Sequence, residues 1–143
     1  MVDGTEPVAD DEILYRRVPI SPEYFNPQAS EHPTPLAFNP HKKDTTGLSV
    51  YRAKYKTAEQ VAKNDRGKSY YVAEMKVKDL RVHKLRVEPK PIQPDDRGHA
   101  ELPDLTYAAR HSNRAEEIKV LLATRLCTIA GFHEAPKPNP PQA

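Results

Sequence analysis

The segment from residue 70 to residue 87 has the clearest strand pattern in the chain. From Ala73 onward its apolar side chains alternate with charged ones, which gives a strand one apolar face and one solvated face. A short polar break interrupts the pattern, and β-prone residues resume after it. The pattern predicts two strands, over residues 70–77 and 80–87, against which the rest of the chain has to pack.

Two further strands and a short helix are predicted in the N-terminal half. Residues 13–18 and 48–53 are rich in β-prone side chains, and a proline or a glycine stands beside each run. Thr57 and Gln60 have the spacing of a capping box, in which each side chain bonds a free backbone amide where a helix starts. This spacing predicts a helix over residues 58 to 63.

A longer helix is predicted near the end of the chain. Asn113 can cap its first turn, and Glu116, three residues later, suits the positive end of the helix dipole. Apolar residues then recur at helical spacing, which indicates a stripe that faces the core. The stripe, which Arg125 interrupts, comprises Ile118, Leu121, Leu122 and Ile129. Gly131 is a natural residue to end the helix.

Fifteen prolines against five glycines indicate stiff, extended connections between these elements. The prolines cluster in residues 19–40 and 88–103, where each one disfavours helix at the residue before it. We therefore predict an α+β fold: a small mixed or antiparallel sheet, the terminal helix packed on one face, and long proline-rich loops. Residues 13–131 would form this domain, between a disordered acidic leader at 1–12 and a disordered proline-rich tail at 132–143.

Composition argues against several classes of function. The 22 basic and 20 acidic residues leave a net charge of +2, which is too small to attract nucleic acid or a membrane surface strongly. Cys127 is the only cysteine and the six histidines are scattered, so no metal site is predicted. With five glycines and no phosphate-binding loop, no cofactor is predicted either. The N-terminus lacks an apolar signal segment and no apolar run reaches ~20 residues, which predicts a cytoplasmic protein.

One set of strand residues has the parts that chemistry on NAD requires. Arg16 or Arg17 on the first strand would hold a pyrophosphate, Ser49 and Tyr51 on the second would hold nicotinamide, and Glu74 would stabilise an oxocarbenium ion. Their order along the chain resembles the ADP-ribosyltransferase-like fold, including the RES-type toxins, in which an arginine-bearing strand precedes an "LYxA"-like strand and a helix. The resemblance implies an enzyme that processes NAD.

A second resemblance covers residues 13–131. The segments that carry this resemblance are LYRRVP at 14–19, LSVY at 48–51, GHAELP at 98–103 and the terminal helix. They are similar to a group of small bacterial proteins of unknown function that read LYRRIP, SVY and GHAxIPxL in the same order. This resemblance brings no reaction, but it marks Arg16, Arg17 and His99 as the polar positions to test.

The first functional hypothesis from the sequence is a non-enzymatic accessory or protein-interaction module of a bacterial multi-protein system, of a defence or toxin type. Its partner would be another protein, bound through a strand edge or the proline-rich surface. The alternative is the NAD-processing enzyme, which requires Arg16 or Arg17, Tyr51 and Glu74 to converge in one cleft, with His99 as a further candidate. A third hypothesis is weak nucleic-acid binding through the basic stretch around Arg81.

Overall fold

The computed structural model describes residues 3–92 and 96–130, which form one sheet with helices around it. The strands are β1 (Ile13–Pro19), β2 (Leu48–Arg52), β3 (Tyr70–Lys76), β4 (Glu88–Pro89), β5 (His99–Leu102) and β6 (Cys127–Ile129). The helices are α1 (Ala58–Val61), α2 (Val77–Val82) and α3 (Asn113–Leu121), with a 3₁₀ turn at Pro35–Phe38 and a π turn at Leu122–Leu126. Within these two ranges, none of the helices has the length and apolar character that crossing a lipid bilayer requires.

The strands lie in the order β4-β5-β2-β1-β3-β6, and all neighbouring strands are antiparallel. β1 lies inside the sheet and pairs with β3 over its full length. With β2 its register covers two pairs, Leu14↔Arg52 and Tyr15↔Tyr51. The two outer strands, β4 and β6, are only two and three residues long.

Alternation along the strands gives the sheet two different faces. Its core face carries Leu14 and Val18 of β1 and Leu48 and Val50 of β2, all of which are fully buried. α3 packs on this face through Ile118, which belongs to the same apolar cluster. The predicted α+β class, with an antiparallel sheet and a helix toward the C-terminus, is therefore confirmed.

We call the opposite side of the sheet the outer face. Its polar and aromatic side chains, placed there by strand register, include Tyr15, Arg17, Ser49, Tyr51, Glu74 and His99. α1 lies over this face beside β1 and β3, and its Val61 is fully buried. The predicted capping box is present in α1, because the Thr57 and Gln60 side chains each accept a bond from the other's backbone amide.

The strand predicted over residues 80–87 is wrong, because the chain forms α2 directly after β3. Val77 and Leu80 are both fully buried at helical spacing, whereas Val82 is 70 % exposed. The amide of Val77 donates to the carbonyl of Glu12, so the segment before β1 turns the chain at this point. Val77 and Leu80 therefore form one buried face of the helix, whereas Leu85 and Val87 are buried beyond its end.

The terminal helix differs from its prediction at both ends. Ser112, not Asn113, accepts the capping bond, from the amide of Ala115 at 3.1 Å. After the π turn the chain becomes β6, so Cys127 and Ile129 lie in a strand rather than on a helix. Burial raises the pKa of the Cys127 thiol to about 12. Gly131, the predicted stop, lies outside the described residues.

Residues 3–12 also differ from the predicted disordered leader. Val8 is buried in the apolar core, and Glu12 is 9 % exposed. The guanidinium of Arg52 donates to the backbone carbonyls of Gly4 and Glu6 and to the carboxylate of Glu12. The acidic composition that suggested disorder thus provides partners for a buried cation. Residues 1–2 and the predicted tail at 132–143 lie outside the described part of the chain.

Candidate functional site

A partly enclosed cavity of about 340 Å³, which we call the basic pocket, opens beside β1 and β2. Its lining comprises Arg16, Arg17, Pro19, His41, Lys43, Ser49, Tyr51 and Tyr70. β1 supplies the arginines, β2 supplies the serine and one tyrosine, and β3 supplies the other tyrosine. His41 and Lys43 come from the connection that precedes β2. The volume lies at the lower end of the range for small-molecule sites, roughly 300 to 1,000 Å³.

Arg16 lies on the core side of β1 and is only 7 % exposed. Its Nε donates to the carbonyl of Ala37 at 3.3 Å, and its Nη1 donates to the carbonyl of Ser49 at 2.9 Å. Among the described residues no carboxylate forms an ion pair with it. Burial lowers the pKa of Arg16, and the charge of Asp44 partly opposes this effect. Arg16 is therefore a nearly buried cation held by two neutral carbonyl groups.

Arg17 is held by the end of α1. Its Nε donates to the carbonyl of Val61 at 2.7 Å, and its Nη2 donates to that of Lys63 at 3.4 Å. Its Nη1 donates to the Tyr51 hydroxyl at 3.2 Å. Because all three nitrogens already have protein acceptors, Arg17 contributes mainly charge and the position of Tyr51.

The ring of Tyr51 lies among cations. The guanidinium of Arg17 lies 5.0 Å from the ring centroid, and Nζ of Lys56 lies 4.8 Å from it. The His99 ring meets it edge to face, with the centroids 6.2 Å apart. Burial raises the pKa of the Tyr51 hydroxyl, with Arg17 opposing the effect and Asp96 adding to it.

Ser49 stands at the centre of a hydrogen-bonded chain behind the pocket. Its hydroxyl donates to Oδ1 of Asp44 at 2.9 Å, and Nε2 of His99 lies 3.1 Å from Oγ of Ser49. Nδ1 of His99 lies 2.8 Å from the carbonyl oxygen of Lys90. A carbonyl oxygen can only accept, so Nδ1 carries a proton. Asp44 and His99 are buried, at 3 % and 9 % exposure.

His41, like Lys43, is an exposed member of the pocket lining. Its backbone amide donates to Oδ2 of Asp44 at 2.8 Å, which fixes the position of the connection before β2. Burial and the neighbouring Arg16 lower the pKa of His41, and Asp44 opposes them. His41 is therefore harder to protonate than an isolated imidazole.

Four of the predicted site residues meet in the basic pocket. Arg16, Arg17, Ser49 and Tyr51 all line it, and His99 reaches it through Ser49. Glu74 is not among the lining residues. Glu74 on β3 pairs with Tyr15 on β1, and Tyr15 pairs with Tyr51 on β2. Glu74 and Tyr51 therefore lie in one cross-strand row, with β1 between them.

Sequence reasoning missed His41, Lys43, Asp44 and Tyr70. The first three lie in the sequence HKKD, which follows Pro40 inside a passage interpreted as a connection. The signal in that passage was a concentration of charge and imidazole between a proline and a glycine. A long connection with such residues is often functional. Tyr70 begins the strand predicted over residues 70–77.

The basic stretch around Arg81 does not form a continuous cationic surface. Arg81 pairs with Asp10 at 2.5 Å, and Arg86 pairs with Asp104 at 3.5 Å. Lys84 occupies a left-handed backbone conformation, with φ of 63°, after α2 ends. These carboxylates reduce the field that nucleic acid would require.

Comparisons with protein families, with curated proteins and with solved structures find no match to this chain. In residues 3–92 and 96–130, no three histidine, cysteine, aspartate or glutamate side chains are grouped as metal ligands. The side chains that line the basic pocket are therefore the basis for a proposed function.

Proposed function

We propose that this protein binds a small phosphate-bearing anion in the basic pocket. The observation that carries the proposal is the charge of the lining. Arg16, Arg17 and Lys43 are permanent cations, His41 is a potential fourth, and none of the lining residues is a carboxylate. A cavity with this charge favours an anion, because the local field raises the concentration of negative ligands there.

The side chains of the pocket favour phosphate in particular. Arg16 forms no ion pair among the described residues, and a phosphate oxygen is a strong acceptor for its guanidinium. Lys43 adds an exposed point charge at the same cavity. Tyr51 and Tyr70 supply aromatic walls, which suit the sugar or base of a mononucleotide.

The test is calorimetric titration with inorganic phosphate and with adenosine monophosphate. Lys43→Ala should weaken both affinities about tenfold, because it removes one charge-assisted contact. Lys42→Ala is the matched control, since Lys42 is also exposed but does not line the cavity. Equal effects of the two substitutions, or no binding by the wild type, would refute the proposal.

A second candidate function is processing of NAD. The observation in its favour is that Arg16, Arg17, Ser49 and Tyr51 line one cavity. The position of Glu74 weighs against it, because this carboxylate does not line the cavity. The test is NAD turnover by the wild type and by Glu74→Gln, compared at equal folded concentration. Turnover that requires Glu74 would favour this candidate over simple binding.

The protein-interaction hypothesis is compatible with anion binding, since a ligand-binding accessory subunit would satisfy both. A partner strand could form only a few backbone hydrogen bonds at the edges of the sheet, because both edge strands are short. β4 contains Pro89, which cannot donate to a ladder, and β6 has three residues. We therefore expect a protein partner to contact side chains and loops. Nucleic-acid binding and a cytoplasmic location stay predictions.

A further inference from the structure

Ser49 and His99 have the relative geometry of a nucleophile and its base. Oγ of Ser49 and Nε2 of His99 are 3.1 Å apart, within the reach that proton transfer requires. Ser49 lines the basic pocket, whereas His99 is buried behind it. A serine that lines a pocket, with a buried imidazole against its hydroxyl, is the arrangement of an activated serine.

The carbonyl of Lys90 fixes the tautomer of His99. It lies 2.8 Å from Nδ1 and can only accept, so it holds the proton on that nitrogen. In a neutral imidazole this leaves the lone pair of Nε2 directed at Ser49. The backbone thereby performs the orienting role that a third side chain has in many serine enzymes.

The surrounding cations indicate which electrophile this serine would meet. Arg16 donates to the backbone carbonyl of Ser49 itself, so its guanidinium lies next to the hydroxyl-bearing residue. Lys43 and His41 line the same cavity. Positive groups around a transferring phosphoryl group stabilise its charge in the transition state, and this is the main work in phosphoryl transfer.

We propose that Ser49 accepts a phosphoryl group from a phosphate monoester and passes it to water. Oγ of Ser49 attacks phosphorus while its proton moves to Nε2 of His99. The bond from phosphorus to the ester oxygen breaks on the side opposite Oγ, and that oxygen leaves as the anion or takes a proton from solvent. Water then attacks the phosphoserine and gives up a proton to solvent, Oγ of Ser49 leaves and recovers the proton held on Nε2, and inorganic phosphate is released.

Asp44 competes for the proton of Ser49, since its Oδ1 lies 2.9 Å from the hydroxyl. The hydroxyl has one proton and two neighbouring acceptors, so it can donate to only one of them at a time. We assign the proton transfer to His99, whereas Asp44 holds the hydroxyl of Ser49 before the reaction begins. Substitutions of the two residues separate these roles.

The experiment uses para-nitrophenyl phosphate as the substrate and intact-mass analysis of acid-quenched protein. Wild type should release nitrophenolate and carry one phosphoryl group, mapped to Ser49 by peptide fragmentation. His99→Gln should lower the rate about 100-fold or more, as expected for loss of a general base. His111→Gln, at an exposed histidine outside the pocket, is the matched control.

The proposal that Ser49 accepts a phosphoryl group rests on the anion pocket of the proposed function. Ser49→Ala should carry no phosphoryl group, and melting temperatures would show whether it and His99→Gln are folded. A label mapped to another residue in the wild type overturns the assignment without any variant. A wild-type rate in folded His99→Gln, with loss in Asp44→Asn, would make Asp44 the base and overturn the proposal. Phosphate binding without label or turnover would refute this inference alone, whereas no phosphate binding would refute the proposed function.

Discussion

The carboxylate of Glu12 and the guanidinium of Arg52 form a two-point ion pair beneath the N-terminal segment. Nε of Arg52 lies 2.8 Å from Oε1 and Nη2 lies 2.7 Å from Oε2. The Arg52 side chain is 0 % exposed and that of Glu12 is 7 % exposed. The pair joins the segment before β1 to the end of β2, so its loss should affect stability more than a surface ion pair would.

We expect Glu12→Ala to lower the free energy of unfolding by about 3 to 5 kcal/mol, because it leaves a fully buried guanidinium without its main counter-ion. Urea denaturation followed by circular dichroism measures this loss. Asp11→Ala is the matched control: Asp11 is exposed, and its substitution should change the free energy by roughly 0.5 kcal/mol or less. A loss for Glu12→Ala no larger than that of the control would contradict the role of the pair.

Because of the ion pair between Glu12 and Arg52, we also expect the protein to lose stability in acid. Burial by itself would raise the pKa of Glu12, but the hydrogen bonds from Arg52 and from the amide of Ala9 outweigh it and lower the pKa. The unfolded chain, with a glutamate pKa of about 4.3, therefore binds the proton first. Stability from Glu12 is complete above that value and disappears as pH falls through the lower folded-state pKa. Urea titrations at a series of pH values should show a shallower acid dependence for Glu12→Gln than for wild type.

Anion binding should be coupled to protonation of His41. Burial and Arg16 lower the pKa of His41, and a bound anion would oppose both effects. Affinity should therefore rise as pH falls below about 6.5, the ordinary imidazole value. Sulfate is the suitable probe, because its charge stays constant over this range. Calorimetry should show proton uptake with wild type and less uptake with His41→Gln, whereas identical pH profiles would exclude His41 as the coupled group.

Substitutions at the start of α3 test which of two adjacent residues, Ser112 or Asn113, caps the helix. Ser112→Ala removes the acceptor for the amide of Ala115 and should cost about 0.5 to 2 kcal/mol. Asn113→Ala should cost little, because Asn113 is the first helical residue and is exposed. Denaturant midpoints of the two variants provide the comparison. A larger loss for Asn113→Ala would restore the sequence-based assignment.

Features set by neighbouring residues could be predicted from the sequence. The capping box at Thr57 and Gln60 forms as expected, since both partners lie within one helical turn. β1, β2 and β3 also lie where β-prone runs and alternation predict strands. In the segment after β3, β-prone residues predict a strand, but the chain forms a helix that bonds residues far away in the sequence, such as Glu12.

The candidate site depends on contacts between residues that are far apart in the sequence. Alternation placed Ser49 and Tyr51 together, and the resemblances marked Arg16 and Arg17. The pairing of Ser49 with His99 requires β5 to lie beside β2, about 50 residues later in the chain. Asp44 and His41 are brought to the pocket by an irregular connection, for which no periodic pattern exists. Sequence patterns therefore indicated strand-borne members of the site and missed those on the connection.

The strand order has a consequence for the rate of folding. β1 lies between β2 and β3, and its complete ladder is with β3, more than 50 residues farther along the chain. β5 joins β2 and β6 joins β3 from still later in the sequence. Contacts between such distant segments require large loops to close before they gain any stability, so domains of this type fold more slowly than helical bundles. Until β6 reaches β3, the outer edge of β3 is open to pairing with another nascent chain, and this interval is when aggregation would compete with folding.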